Sequence, residues 1–331
     1  MRSYINIDLN KLKANLDEIK KRNNKQIIAV IKSNAYGFGL VEIAKFLEKE
    51  NIRFFAVATI EEAIVLRQNN IRANILVLEK NDNYQTYVKY NLIYSLYDIP
   101  SLKNIVISHL PIRIHIKINT GLNRLGIEEN EIEELINLIK NNKVKIEGLF
   151  THIADISTYY TQLEKFEFFA KNLNFIKNLI THIDSSRFID EINFTNAMRI
   201  GLSLYNYKEN CLSLHSPIYQ LREVKKGELV GYHKQESTPS KGYLITIPLG
   251  YADGWNSSRR TIGFIDNHKD QQIGETCMDH MMLFSKEQIK SPTIEIIGDN
   301  ITINYLSTIY EESEYQILAT LSPRLVRNYF K

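Results

Sequence analysis

The amino-acid sequence predicts an α/β protein, with an N-terminal eight-stranded β/α barrel of the TIM type and a C-terminal antiparallel β domain. From residue 27 to about 205, short β-rich apolar segments alternate with longer amphipathic ones. This alternation is the pattern of a parallel sheet with helical crossovers. About eight such units in roughly 190 residues fit a closed barrel better than an open sheet. After Cys211, polar and apolar residues alternate between breaks rich in Gly, Pro and Asn, which is typical of antiparallel strands.

The predicted barrel strands are short and rich in Ile, Val and Leu. They are 27–31, 54–58, 75–78, 92–95, 112–118, 145–150, a segment ending before His182, and 199–205. The clearest helix is 128–140, where apolar residues recur three and four positions apart. Further helices are predicted at 41–49 and 160–180.

The sequence predicts a barrel domain over 8–212 and a β domain over 213–331. The β domain takes its predicted strands from 224–235, 241–250, 260–275 and 293–304. Segment 1–7 alternates in the same way, so we expect it to join the β domain as a strand.

Composition excludes several classes of function. A net charge of +3, from 41 basic and 38 acidic side chains spread along 331 residues, offers no basic face for nucleic acid or a membrane surface. Two cysteines, Cys211 and Cys277, are too few for a disulfide framework, and the histidines show no metal-ligand spacing. Without a signal-peptide core or a long apolar segment, we expect a cytoplasmic protein that holds no metal.

Five residues fall where a barrel carries its chemistry, at the carboxyl ends of the predicted strands. Lys32 ends the first strand, and Arg124 follows the fifth. His152 ends the sixth strand, Ser186 follows the seventh, and Gly201 lies in the eighth. Their coincidence predicts a functional site at one end of the barrel.

Lys32 ends a fully apolar strand, where an amine is costly unless it is neutralised, paired or covalently used. A lysine that extends to solvent is the plain alternative. The sequence that follows, Ser-Asn-Ala-Tyr-Gly-Phe-Gly over 33–39, permits a tight turn into a helix from about residue 40. The first amides of that helix could approach an anion.

Segment 28–39 resembles the lysine motif of alanine racemases, which are fold-type III enzymes that use pyridoxal 5'-phosphate (PLP). The resemblance runs in register from Asp8 to Tyr329. Its other blocks are 117–126, 147–152, 199–205, 248–254, 274–279, Tyr315 and 322–324. It implies a homodimeric isomerase that interconverts L- and D-alanine, with D-alanine used for bacterial cell-wall synthesis.

The same resemblance implies a two-base mechanism. Lys32 would carry PLP as a Schiff base and act as one base, and Tyr251 of the partner subunit would be the other. Racemisation needs a group on each face of a planar carbanion. Tyrosine is a weak base, with an ordinary pKa of about 10, so it needs the cationic neighbourhood that His152 and Arg199 provide. Arg199 would face the pyridine nitrogen, and because it stays protonated it gives that nitrogen no proton. Without the motif, a tyrosine in such a Gly-Tyr-Ala-Asp-Gly turn is more often a turn or packing residue.

Hydroxyls and amides would bind the cofactor phosphate, because they donate hydrogen bonds without mobile charge. By resemblance these donors are Tyr36, Ser186, the amides of Gly201 and Leu202, and Tyr315.

Arg124 and the amide of Met278 would bind the substrate carboxylate, with Cys277 and Asp279 as their support. Lys117 matches a lysine that is often carbamylated in the family. A carbamate there would pair with Arg124, whereas a free ammonium would repel it.

Several residues depart from the family pattern. Phe38 replaces a usual histidine, His280 a glutamine, Asn119 an aspartate and Ser157 a corridor aspartate. Glu275 stands where an arginine lines the substrate entrance. We therefore also consider a broader racemase that accepts serine or basic amino acids.

Three rival functions remain open. One is a fold-type III decarboxylase of basic amino acids, against which Arg199 and the 277–279 block argue. Another is a barrel-only PLP-carrying protein, which would lack Tyr251 and its domain. The third is a degenerate racemase kept as a PLP-binding regulator.

Overall fold

A computed structural model of the chain describes residues 2–153, 155–184, 186, 189, 194–234 and 236–331. The chain divides into two compact units. The first, here called the sheet unit, comprises Met1–Asn15, Tyr36–Gly39 and Tyr205–Lys331. The second, here called the barrel unit, comprises Leu16–Ala35 and Leu40–Leu204. The predicted boundary between residues 212 and 213 stays a prediction.

In the described part of the barrel unit, eight parallel strands close into a barrel. The first strand of the chain, β1 (Tyr4–Asp8), lies in the sheet unit. The barrel strands are β2 (Gln26–Val30), β3 (Phe54–Val57), β4 (Asn74–Val77), β5 (Ile93–Leu96), β6 (Arg113–Lys117), β7 (Lys145–Phe150), β8 (Ile180–Asp184) and β9 (Ala197–Ile200). They pair in sequence order, and β9 pairs with β2 to close the ring. The predicted fold class is confirmed.

The predicted end of the eighth barrel strand is wrong. Segment 199–205 is not one strand, because β9 ends at Ile200 and a short helix runs over Leu202–Tyr205. Gly201 therefore lies between strand and helix, and its carbonyl accepts a hydrogen bond from the Leu204 amide at 2.9 Å. The run Ile-Gly-Leu-Ser-Leu alternates like a strand, but local helical hydrogen bonding prevails after the glycine.

Right-handed helices precede and follow the barrel strands, and their bounds agree only in part with the predicted ones. They are α1 (Leu9–Arg22), α2 (Leu40–Lys49), α3 (Ile60–Gln68), α4 (Tyr84–Lys89), α5 (Ile99–Ser108), α6 (Ile132–Asn141), α7 (Tyr159–Asn172) and α8 (Leu202–Tyr205). Thr59 caps α3 in a reciprocal box with Glu62, which fixes where that helix starts. The predicted helix 160–180 stops at Asn172, and the predicted helix 128–140 opens with a 3-10 turn, Glu129–Glu131.

The sheet unit holds a nine-stranded sheet in the order β11-β14-β17-β16-β15-β18-β10-β1-β19. Its strands after β1 are β10 (Leu212–Pro217), β11 (Gln220–Val224), β14 (Gly242–Ile247), β15 (Ile262–Ile265), β16 (His268–Gln272), β17 (Met281–Ser285), β18 (Thr293–Ile297) and β19 (Val326–Phe330). A separate pair joins β12 (Leu229–Val230) to β13 (Glu236–Ser237). All pairings in the nine-stranded sheet are antiparallel except that of β1 with β19.

The sheet unit departs from prediction at its edges. Segment 293–304 is a strand only to Ile297, and two helices follow it, α9 (Ile303–Tyr310) and α10 (Glu314–Ala319). Most of segment 224–235 lies outside the nine-stranded sheet, and Gln235 lies outside the described residues.

None of the helices in the described ranges has the length and hydrophobicity that crossing a membrane requires. Across the same ranges, no three His, Cys, Asp or Glu side chains come together in a way that suits a metal ion.

Candidate active site

Lys32 follows β2 and opens a turn of left-handed backbone. Ser33, Asn34 and Ala35 have φ values of 54°, 56° and 52°. Left-handed backbone costs a residue with a side chain about 1–2 kcal/mol. The sequence predicted a tight turn through Gly37 and Gly39, and both have positive φ, 85° and 99°. The left-handed backbone also includes the four residues directly after the lysine, which the sequence did not predict.

Hydrogen bonds hold this turn in place. The Ala35 amide donates to the Ile31 carbonyl at 2.9 Å. The Asn34 amide donates to Glu62 Oε1 at 3.3 Å, while Asn34 Oδ1 accepts from the Leu40 amide at 2.9 Å. Glu62 thus ties the turn after Lys32 to the start of α3. Sequence analysis missed this role, although the Thr-x-x-Glu cap at 59–62 was readable.

Arg199 lies on β9 with its guanidinium buried in the barrel. Its Nη1 donates to His182 Nδ1 at 2.7 Å and to the His182 carbonyl at 2.8 Å. Its Nη2 donates to the Thr151 carbonyl. The guanidinium carbon also lies 5.3 Å from the centre of the Phe150 ring. These contacts give the side chain one orientation.

His152 follows β7 and remains accessible from the end of the barrel. Partial burial and the nearby positive charges of Arg199, Arg124, Lys117 and Lys32 hold the pKa of His152 well below its ordinary value. The imidazole is therefore neutral at physiological pH, so the expectation that His152 supplies positive charge is wrong. Sequence analysis did not assign His182, which is a hydrogen-bond partner of Arg199.

Lys117 ends β6 with its side chain buried, and its Nζ donates to the Leu125 carbonyl at 2.9 Å. Burial, together with the charges of Arg199 and Arg124, lowers the pKa of Lys117 to about 8. A measurable fraction of this amine is therefore neutral near pH 7.

Arg124 lies in an exposed loop that a bridge between Ile118 and Ile127 closes at its base. Within the loop, Asn119 Oδ1 accepts hydrogen bonds from the amides of Gly121 and Asn123, at 3.2 and 3.0 Å. The asparagine at 119 thus shapes the loop that presents Arg124 at the carboxyl end of the barrel.

Ser186 and the segment after β9 form a cluster of small donors. Ser186 Oγ accepts hydrogen bonds from the amides of Gly201 and Ser203, at 3.3 and 3.2 Å. Three of the groups predicted for the phosphate, Ser186, Gly201 and Leu202, are therefore near one another. Sequence analysis missed Ser203, whose amide points at the same hydroxyl.

In the sheet unit, the rings of Tyr36 and Tyr315 lie 5.8 Å apart. Burial, and then the proximity of Tyr315, raises the pKa of the Tyr36 phenol well above its ordinary value, so this hydroxyl stays protonated. Phe38 is buried and stacks on Tyr205 with ring centres 4.3 Å apart. The phenylalanine that departs from the family pattern is thus a packing residue.

The structure brings Tyr251 and Met278 together. Tyr251 opens a 3-10 turn, Tyr251–Asp253. Its amide donates to the Cys277 carbonyl at 3.1 Å, and the Ala252 amide donates to the Met278 carbonyl at 3.0 Å. Both side chains remain open, with 47% of Tyr251 and 55% of Met278 exposed.

Two aspartates, Asp253 and Asp279, stabilise the turn at Tyr251–Asp253 through hydrogen bonds and ion pairs. Asp253 is fully buried, and its Oδ2 accepts from the Gly250 amide at 2.9 Å and from Arg2 at 2.8 Å. Arg324 pairs with Asp279 at 2.7 Å and thereby lowers the pKa of that carboxyl. The predicted supporting residue Asp279 thus lies in the same ionic network as Asp253.

A parallel barrel with a lysine at a strand end, followed by a mainly antiparallel sheet, defines the fold-type III enzymes, which are PLP-dependent. The chain belongs to the alanine racemase family. Residues 7–209 match the family's N-terminal domain, and residues 211–329 match its C-terminal domain. The predicted family is confirmed.

Individual relatives agree over nearly the whole chain. It is 33% identical to the alanine racemase of Fusobacterium nucleatum, with 92% of this chain and 91% of the relative covered. It is 31% identical to that of Borreliella burgdorferi, with 98% and 96% covered. Among solved structures, an alanine racemase from Clostridium difficile 630 superposes with a TM-score of 0.93 at 28% identity, covering 100% of this chain and 96% of that one.

Proposed function

We propose that this protein is a PLP-dependent alanine racemase that interconverts L- and D-alanine. It would use Lys32 and Tyr251 of the partner subunit as its two bases. The relatives named alanine racemase support this reaction. The observation that carries the proposal is the lysine that follows β2 at the start of a left-handed turn, with His152 close enough to feel its charge and those of Arg199, Arg124 and Lys117.

The donors in the barrel unit suit PLP. The Ser186 hydroxyl and the amides of Gly201 and Ser203 converge, and a phosphate dianion accepts hydrogen bonds from such groups. Lys32 would bind the aldehyde carbon, and Arg199 would donate to the ring nitrogen. When bound, PLP supplies an electron-withdrawing system that stabilises negative charge on the α-carbon of an amino acid.

The protein's own groups would then move one proton. Lys32 and Tyr251 of the partner subunit would take it from, or return it to, opposite faces of the α-carbon. Because His152 is neutral, its imidazole can accept a hydrogen bond from the phenol of that tyrosine. Arg124 would bind the substrate carboxylate together with the Met278 amide, and so fix which bond faces each base.

A homodimer is part of the proposal. Tyr251 and Met278 are open side chains on a turn that backbone hydrogen bonds fix rigidly. Such a turn can serve a site in a second copy of the chain without rearrangement. Function in the cytoplasm and supply of D-alanine for the cell wall belong to the same proposal.

The test is racemisation of L- and D-alanine by the purified protein with PLP. Lys32→Ala should lose both activity and the visible absorbance of lysine-bound PLP. Tyr251→Phe should keep that absorbance and lose racemisation, yet still exchange the α-hydrogen of one enantiomer with deuterated water. Equal loss of exchange for both enantiomers would contradict the two-base arrangement.

A broader racemase, acting on serine or basic amino acids as well, is a second candidate. Glu275 is half exposed and its Oε2 lies 3.4 Å from His233 Nδ1, so a negative charge stands on this surface. Turnover of alanine, serine, lysine and arginine should shift toward alanine in Glu275→Arg. An unchanged substrate preference in Glu275→Arg would refute this candidate function.

A further inference from the structure

Two fully buried histidines from different strands meet inside the barrel. His115 lies on β6 and His182 on β8, and neither side chain is exposed. His115 Nδ1 is 2.9 Å from His182 Nε2, and His182 Nδ1 is 2.7 Å from Arg199 Nη1. The three side chains therefore form one continuous line of hydrogen bonds.

The guanidinium of Arg199 determines which atom donates and which accepts in each hydrogen bond of this line. Arginine can only donate, so His182 Nδ1 must accept and carries no proton. The proton of a neutral His182 then lies on Nε2 and is donated to His115 Nδ1. His115 must in turn carry its own proton on Nε2. That nitrogen is buried, and no described protein atom accepts from it.

Burial also keeps both rings neutral. It lowers the pKa of His115 to about 3 and that of His182 well below its ordinary value, and Arg199 adds to both effects. A charged imidazole would lie against a guanidinium in a site that excludes water. At physiological pH the line therefore has the one arrangement of protons described above.

The barrel is built around this pair. Gly148 pairs with His115 in the register of β6 and β7, and a Cβ at Gly148 would lie 2.4 Å from the His115 ring. A glycine in the interior of a strand weakens it, but this one makes room for an imidazole. Phe150 stacks on His182 with ring planes 1° apart, and Phe54 meets His115 edge to face.

We propose that His182 and His115 are positioning residues that hold Arg199 as a one-way donor. His182 offers Arg199 a lone pair and holds its own proton on the far side of the ring. The line can therefore orient the guanidinium but cannot pass a proton toward it. Any group that Arg199 faces receives a hydrogen bond and no proton. Only the identity of that group, the PLP ring nitrogen, rests on the proposed function.

The first test is the protonation of the rings, measured by ¹⁵N NMR of the histidine-labelled protein with and without PLP. His182→Gln and His115→Gln assign the signals. We expect both imidazoles to be neutral with the proton on Nε2, and neither to titrate between pH 5 and 9. A proton on Nδ1 of either ring, or a charged ring at pH 6, would overturn the proposal whatever the racemase assay gives.

The second test compares two replacements of His182. Glutamine can offer a carbonyl oxygen to Arg199 and an N–H to His115, whereas leucine offers neither. We expect His182→Leu to lower kcat for alanine about 10- to 100-fold with KM changed only a few-fold, since a hydrogen bond to a charged group is lost. His182→Gln should stay within about threefold of the wild type by the same reasoning.

His215→Gln is the matched control, because His215 is a partly buried histidine of the sheet unit. If His182→Leu does not fold, His115→Leu replaces it, with a smaller, several-fold loss of kcat expected. Wild-type kcat in the leucine variants, or equal loss in His182→Leu and His182→Gln, would refute the positioning role. An inactive wild type with the expected NMR spectrum would refute the proposed function alone.

Discussion

The barrel unit and the sheet unit prepare their candidate catalytic groups in different ways. In the barrel, Arg199 and Lys117 are only 6% and 5% exposed, and burial and neighbouring charges set their behaviour. In the sheet unit, Tyr251 and Met278 are about half exposed and are fixed through backbone hydrogen bonds. The barrel thus lowers the pKa of Lys117, whereas the turn of the sheet unit fixes the positions of Tyr251 and Met278 through its backbone. Substitutions in the two units should therefore differ in which property of the protein they change, as well as in the size of that change.

The largest effect is expected in the turn after Lys32. Glu62→Ala removes the acceptor for the Asn34 amide and for the Ala58 amide. The left-handed turn then loses a restraint, and a shift of about 1 Å at a reacting group costs on the order of 100-fold in rate. We expect kcat for alanine to fall by about that factor. Steady-state kinetics measures it.

Glu61→Ala is the control for this variant, because Glu61 is an exposed neighbour on the same helix. It should leave kcat unchanged. If Glu62→Ala keeps wild-type kcat while its melting temperature falls, Glu62 caps the helix but does not position Lys32.

Lowering the pH should reduce the stability of the protein through the buried histidines of the barrel. In the folded protein the pKa of His115 is about 3, against an ordinary value of 6.5, mainly through burial. Between these values the unfolded chain binds a proton that the folded chain does not. The stability contributed by the neutral ring is thus complete above pH 6.5 and is lost as pH falls toward 3. For His115 alone we expect a loss of about 2 kcal/mol between pH 7 and pH 5.

Urea unfolding at a series of pH values measures this loss. His115→Leu should flatten the dependence of the free energy of unfolding on pH. His109→Asn, at an exposed helix end, should leave it unchanged. An equally steep acid loss in His115→Leu would assign the effect to other groups.

The sequence predicted the elements of the site better than the contacts between them. Lys32 and Tyr251 stand in motifs that can be read within a few residues. His115 and His182 lie 67 positions apart and meet because β6 and β8 lie on either side of β7 in the barrel. A glycine inside β7, Gly148, was the local sign that a bulky ring packs there. Which side chains meet inside a barrel depends on strand order and register, which periodicity does not encode.

The same reasoning explains the wrong boundary at the end of β9. The residues from Arg199 onward alternate as a strand would, so local pattern favoured a strand through Tyr205. The chain instead turns after Gly201, and the amides of Gly201 and Ser203 donate to the Ser186 hydroxyl. Strand and short helix compete closely over such runs, and here the local bond from the Leu204 amide to the Gly201 carbonyl and the bonds to Ser186 both favour the helix.

A smaller effect is expected when the support of Tyr251 is disturbed. Asp253→Asn keeps the shape of the side chain but removes the charge that pairs with Arg2. The turn that carries Tyr251 should loosen, and kcat should fall about tenfold with PLP binding unchanged, which is the size of losing one charge-assisted hydrogen bond. Kinetics and PLP titration measure the two quantities. Asp299→Asn, an exposed aspartate in the same unit, is the control and should have no effect.

The smallest effect concerns Lys117, whose pKa is lowered to about 8 by burial and by Arg199 and Arg124. At pH 7 about a tenth of this amine is neutral, and a neutral amine can attack the carbon of CO₂ and lose a proton to become a carbamate. The product is an anion beside two guanidinium groups, so the charges that disfavour the ammonium stabilise it. We expect a carbamate signal in ¹³C NMR with labelled bicarbonate, and a several-fold loss of kcat in Lys117→Gln. Lys145→Gln, an exposed lysine on β7, should keep both the signal and the rate. An unchanged signal in Lys117→Gln would place the carbamate elsewhere, and no signal in the wild type would mean that Lys117 acts as the free amine.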